Sequence, residues 1–104
     1  MNDKHLITSG RASLATEVTG HGDPVIFLHA AVTDRRTWRA ELEGVGAQHL
    51  AIAYDRRGFG ETVAEEEDYS SVSDLMAVLD ATTNGAPAIV VRCSQGGRIA
   101  IDLP

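Results

Sequence analysis

Short apolar runs alternate with amphipathic stretches along this chain. Lys4 to Thr8 and Ala12 to Thr19 flank Ser9-Gly10 and predict a β-hairpin. After the breakers Gly20-His21-Gly22-Asp23-Pro24, the run Val25-Ile26-Phe27-Leu28 contains no polar residue, as a strand covered on both faces would. From Thr33 to Val45, Trp38, Leu42 and Val45 fall at i, i+4 and i+7 and predict a helix, with Arg35, Arg36, Arg39, Glu41 and Glu43 largely off its apolar face. Gly44 and Gly46 end it. Leu50 to Tyr54 is a second buried strand, running into the turn Asp55-Arg56-Arg57-Gly58-Phe59-Gly60.

The acidic run Glu65-Glu66-Glu67-Asp68 reads as a solvated loop. Ser71-Val72-Ser73-Asp74 has capping-box spacing with Asp in place of Glu. Val72, Leu75, Met76 and Leu79 follow at helical spacing, which puts Met76 in the core. Asn84-Gly85 and Pro87 stop that helix, Ala88 to Val91 is a third buried strand, and a turn and a further helix start come next. Pro104 falls roughly two turns into that last helix, so the fold reads as cut after it.

Strands that alternate with helices need right-handed crossovers, giving a mostly parallel sheet with helices on both faces, an α/β architecture. The 104 residues have room for one domain, with no repeat and no linker. Hydrophobic residues at 43% and charged residues at 23% suit a globular chain rather than a disordered one. The formal net charge of -6 speaks against nucleic acid and anionic membranes as partners, because both need Lys and Arg to neutralise phosphates. The single cysteine, Cys93, excludes an intrachain disulfide framework. No run is long enough to span a bilayer and no signal-peptide core follows Met1, so the expected location is cytoplasmic.

Chemistry concentrates in Val90-Val91-Arg92-Cys93-Ser94-Gln95-Gly96-Gly97-Arg98-Ile99-Ala100, which reads as strand, tight turn and helix with Ser94 at the apex. Such a nucleophile elbow needs small residues two before and two after the serine, and Gly96 meets the second need. The helix would point its N-terminus at Ser94, and the Gln95 N–H would lie where an oxyanion develops on an acyl substrate.

Three motifs in order carry a resemblance: Phe27-Leu28-His29-Ala30-Ala31-Val32-Thr33-Asp34-Arg35-Arg36-Thr37-Trp38, then Tyr54-Asp55-Arg56-Arg57-Gly58-Phe59-Gly60-Glu61-Thr62, then Cys93-Ser94-Gln95-Gly96-Gly97-Arg98-Ile99-Ala100. With them the chain resembles the α/β-hydrolase superfamily, in particular its bacterial esterase-like and perhydrolase-like members, from about Ala12 onward. The resemblance implies that Ala31 supplies a second oxyanion-hole N–H and that His29 orients that loop. It also implies that Asp55, Gly58 and Gly60 form a noncatalytic turn shaping the floor of the site. Serine rather than aspartate at the apex argues against the dehalogenase and epoxide-hydrolase branches.

Two positions depart from the pattern. Ala30 stands where the family usually has glycine, a small change. Arg92 occupies the small-residue position two before Ser94, where its side chain must reach solvent or force the turn open. The resemblance further implies an acid and then a histidine after later strands, and the chain ends before either.

Nothing else in the chain fills those roles. His5, His21 and His49 lie in the terminal segment, in a turn and before a strand, and no two histidines have i, i+4 ligand spacing, so no metal site is expected. Cys93 alternates away from Ser94 and reads as a buried thiol. Asp55 belongs to the structural turn and Asp80 to a helix, so neither is the triad acid. Gly58-Phe59-Gly60 is only part of a dinucleotide pattern, with Val63 where the third glycine would stand, and no cofactor is expected.

The sequence thus implies the N-terminal portion of a serine hydrolase for esters or related acyl bonds. Its nucleophile is Ser94, its oxyanion donors are Ala31 and Gln95, and it has little activity alone. The alternative is a noncatalytic truncated remnant or interaction fragment. Its partners would be a small acyl substrate once the fold is completed, and a second copy or a complementing C-terminal half at the open edge of the last strand.

Overall fold

The computed structural model describes residues 3–83, 85–94 and 97–103, with side chains as far as residue 92. A hairpin of β1 (Asp3–Ser9) and β2 (Ala12–Thr19) leads into β3 (Pro24–Leu28). A 3₁₀ turn (Arg35–Trp38) continues directly into α1 (Arg39–Gly46), followed by β4 (Leu50–Tyr54) and the short β5 (Val63–Ala64). Then come α2 (Ser71–Thr82), β6 (Ala88–Ser94) and β7 (Gly97–Leu103). The sheet order is β1-β2-β4-β3-β6-β7, with β5 paired to β2. Its centre, β4-β3-β6, is parallel, and the strands outside it run antiparallel.

Period-2 alternation sends the side chains of the central strands to opposite faces. On one face Val25, Phe27, Ala51 and Ala53 pack against Trp38 and Leu42, with the Phe27 and Trp38 rings 5.1 Å apart. The apolar stripe read from Trp38, Leu42 and Val45 is thus the one that meets the sheet. On the other face Ile26, Ile52, Tyr54 and Val90 pack with Val78 and Leu79 of α2 and with Ile7 and Leu14 of the hairpin. Helices therefore cover both faces of an α/β sheet. Among the described residues no helix is long and apolar enough to cross a membrane.

Several local expectations need correction. The cap of α2 is Ser70, whose side chain accepts the Ser73 N–H at 2.9 Å, one residue before the start suggested by capping-box spacing. Asp74, Val78 and Leu79 form its buried face, so Met76 is 44% exposed rather than core filler. The acidic run is not wholly solvated either, because Glu67 is half-buried and bound by Arg57.

The largest correction lies beyond Ser94. In place of a helix, β7 pairs antiparallel with β6, Ser94 opposite Gly97 and Ala88 opposite Leu103. Gly97 is a poor helix former, and Ile99, Ile101 and Leu103 alternate with Arg98, Ala100 and Asp102, a period-2 pattern that suits a strand. Pairing satisfies the β6 edge, so the open edge on which self-association was expected is occupied by the chain itself. Arg92 is exposed, which avoids the buried guanidinium that its position suggested.

Candidate functional site

The three motif segments emerge side by side at the carboxyl ends of three adjacent parallel strands. Leu28 of β3 lies opposite both Tyr54 of β4 and Arg92 of β6. The loop from His29, the turn from Asp55 and the strand end at Ser94 therefore leave the sheet at the same edge. Open parallel sheets bind their ligands at this edge.

His29 is buried, and both of its ring nitrogens are engaged. Nδ1 donates to the Ala30 carbonyl at 2.8 Å, and Nε2 accepts the Arg56 N–H at 2.9 Å. That pairing fixes a neutral ring with no lone pair left for a serine proton. The Phe59 ring meets His29 edge-on at 5.1 Å. The Ala30 carbonyl also takes the Thr33 hydroxyl at 2.6 Å and its N–H at 3.3 Å, closing a tight turn. Val32 sits in that turn at φ 66, which a β-branched residue rarely adopts. Ala31 is exposed, and none of the described residues accepts its N–H.

A buried ionic cluster holds this loop against the turn after β4. Arg35, at the start of the 3₁₀ turn, is 3% exposed, and its guanidinium reaches Glu17 at 2.9 Å, Glu61 at 2.7 Å and Asp55. Its main-chain N–H donates to Asp55 at 2.7 Å, and the Glu61 N–H reaches the same carboxylate at 2.8 Å. Burial works against the Arg35 charge, but the hydrogen bond it donates to Glu61, with the charge and hydrogen bond of Asp55, outweighs it and raises its pKa. Gly60, at φ +53, fits because a Cβ there would overlap the Asp55 carboxylate.

A second cluster fastens the other side of the turn. Arg57 grips both oxygens of Asp74, at 2.8 and 3.1 Å, and reaches Glu67 at 2.7 Å and the Ser9 carbonyl at 2.9 Å. It also stacks over the Tyr69 ring at 4.3 Å. Asp74 raises the Arg57 pKa.

Sequence reasoning missed both clusters. It placed Arg35 off the apolar helix face, gave Glu17 no role, left Arg57 within the turn motif, and read Asp74 only as the acidic residue of a capping box. The one available signal was that Arg35 and Arg57 each lie within a stretch matching a family motif.

These carboxylates make the fold acid-sensitive. The Arg11 N–H and then Arg57 hold Glu67 below its ordinary value, and Arg35 does the same for Glu61. Hydrogen bonds from Arg36 hold Asp34, the cap of the 3₁₀ turn, down at about 2. Depressed folded-state values contribute stability that is whole above the unfolded values, up to 4.5, and is lost as pH falls toward 2. The urea midpoint should therefore drop between about pH 6 and about pH 3, and Glu67→Gln should remove part of that drop. A midpoint flat across this range would contradict the assignment.

Ser94 closes β6, but its side chain lies outside the described residues, as do Gln95 and Gly96 entirely. Gly58 holds the turn at φ +86. Among the described residues no three His, Cys, Asp or Glu side chains are placed to hold a metal ion. His21 and His49 precede β3 and β4, at the opposite end of the sheet, and His5 lies within β1.

Comparison with known proteins gives the geometry its context. A model described as the alpha/beta hydrolase family matches residues 25–104. A Mycobacterium tuberculosis protein provisionally named non-heme bromoperoxidase BpoC is 35% identical over 95 residues, 88% of this chain and 36% of that protein. Among solved structures, the epoxide hydrolase VrEH1 of Vigna radiata aligns with a TM-score of 0.76 at 25% identity, over 92% of this chain and 31% of its own. A thermophilic esterase from Thermogutta terrifontis, with malate bound, aligns with a TM-score of 0.74 at 27% identity, over 92% of this chain and 37% of its own. The chain spans about 36% of the length of the curated relatives it matches.

Proposed function

Because the chain belongs to the alpha/beta hydrolase family, we propose that it forms the nucleophile-bearing part of a serine hydrolase acting on esters or related acyl bonds. The observation that carries this reading is the arrival of Ser94, the Ala31 loop and the Asp55 turn at one edge, on three neighbouring parallel strands. In this reading the Ser94 hydroxyl attacks the acyl carbon, and the N–H groups of Ala31 and Gln95 hold the oxyanion. The Asp55 turn does no chemistry but fixes the oxyanion loop through His29 and Arg35.

A general base must come from elsewhere. His29 is committed on both nitrogens, and the other three histidines lie away from the strand ends. The acid and histidine implied by the family pattern would be contributed by residues beyond these 104. A serine at this position favours acyl transfer over the epoxide-opening chemistry named for the Vigna radiata relative.

One observation favours the noncatalytic alternative. Residues 97–103 run as β7, where an elbow needs a helix.

A chimera separates the two readings. This chain would replace the matching N-terminal third of the Thermogutta terrifontis esterase, and hydrolysis of nitrophenyl acetate would be followed. Turnover is expected, with a loss on the order of a millionfold in Ser94→Ala. A folded chimera with no turnover, or with turnover that survives Ser94→Ala, would contradict the proposal.

A further inference from the structure

We propose that Val32 lines the acyl side of the site and helps to set which acyl chains it accepts. Val32 has this role only if Ser94 is the nucleophile and Ala31, the residue before it, holds the oxyanion.

Two features of Val32 are unfavourable for the fold itself. The Thr33 N–H donates to the Ala30 carbonyl at 3.3 Å, and Val32, at φ 66, occupies the third position of that turn. Ala31 does not share the positive φ, which makes the turn type II, a class that favours glycine or asparagine at its third position. Valine is strained there, because its branched side chain crowds the left-handed backbone. Among the described residues no other non-glycine residue has a positive φ. Val32 is also 95% exposed, more than any other large hydrophobic residue described, so packing within these residues offsets little of the strain. Backbone strain that packing does not offset is characteristic of places where a ligand meets the chain.

Position identifies that ligand. β3 and β6 are hydrogen-bonded neighbours, and neighbouring strands lie about 4.8 Å apart. Val32 lies on the loop that leaves β3 at Leu28, and Ser94 closes β6. A carbonyl oxygen held by the Ala31 N–H therefore brings the substituents of its carbon close to Val32. Of those substituents, the leaving group must turn toward the histidine that protonates it, and in this reading the histidine comes from beyond these residues. The acyl chain is left facing the loop after β3, where the Val32 isopropyl group offers it an apolar surface.

Val32→Asn tests this, because asparagine suits the turn but presents an amide in place of the two methyl groups. In the 104-residue chain it should raise the urea midpoint. In the Thermogutta terrifontis esterase chimera it should lower the ratio of kcat/KM for nitrophenyl butyrate to that for nitrophenyl acetate about tenfold. Val32→Ile, apolar and β-branched like the parent residue, should hold that ratio near the parent chimera's. A chimera without turnover, or with turnover that survives Ser94→Ala, would sink the serine-hydrolase reading and the role of Val32 with it. Turnover that depends on Ser94 but shows the same ratio in Val32→Asn would overturn the role of Val32 alone. With a lowered chimera midpoint, that unchanged ratio would place Val32 against the rest of the protein instead. A lower urea midpoint for Val32→Asn in the 104-residue chain would also overturn it, by showing that the valine stabilises the fold on its own.

Discussion

Arg35→Met should lower the stability of the fold by about 3–5 kcal/mol, the largest loss expected from any single side chain here. The guanidinium is 3% exposed and faces Glu17 and Asp55, whose side chains are 4% and 0% exposed. Methionine fills much of the volume but removes the guanidinium that these two buried carboxylates face. Glu61 contributes little to this loss, because its side chain is 67% exposed and water can replace Arg35 there. Domains of this size have only about 5–15 kcal/mol in hand, so the variant should unfold at low urea or fail to fold. Arg35→Lys should fall between the two, since a single ammonium cannot serve three carboxylates that the planar fork reaches at once. Urea unfolding of the three proteins measures this, and a methionine variant within 1 kcal/mol of the parent, roughly the scale of an exposed pair, would show that the cluster is not what holds the turn.

Gly60→Ala should cost on the order of 3 kcal/mol, from two sources that act together. The backbone at φ +53 lies in the left-handed region, which costs an alanine about 1–2 kcal/mol. The added methyl would also overlap the Asp55 carboxylate, which would have to release the Glu61 N–H or the Arg35 guanidinium to make room. Gly58→Ala makes a good comparison. Gly58 has φ +86 but open space where a Cβ would go, so its variant carries the backbone cost alone. Equal urea midpoints for the two variants would contradict the steric part of the argument.

The sequence showed most of the scaffold and little of what clamps the site. The hairpin and the strand at Leu50–Tyr54 are visible because an edge hairpin and a central strand differ in how polar residues alternate, and that pattern is local. Arg35 is different. Its partners Glu17 and Asp55 lie 18 and 20 residues away, and helical periodicity cannot pair charges across elements. Met76 was misplaced for a related reason, because the Arg57 grip on Asp74 sets which side of α2 faces inward. At β7 the alternation of Ile99, Ile101 and Leu103 was present in the sequence. The motif around Ser94 suggested a helix there, and the strand pattern prevailed.

In the proposed reading Ser94, at the end of β6 beside the Ala31 loop, is an acyl nucleophile. The most direct measurement is the site of covalent modification when the esterase chimera reacts with the organophosphate diethyl nitrophenyl phosphate. A diethylphosphoryl group is expected on the peptide carrying Ser94, formed as nitrophenol is released and absent from the Ser94→Ala chimera. An unmodified Ser94 peptide from a chimera that hydrolyses esters would contradict it.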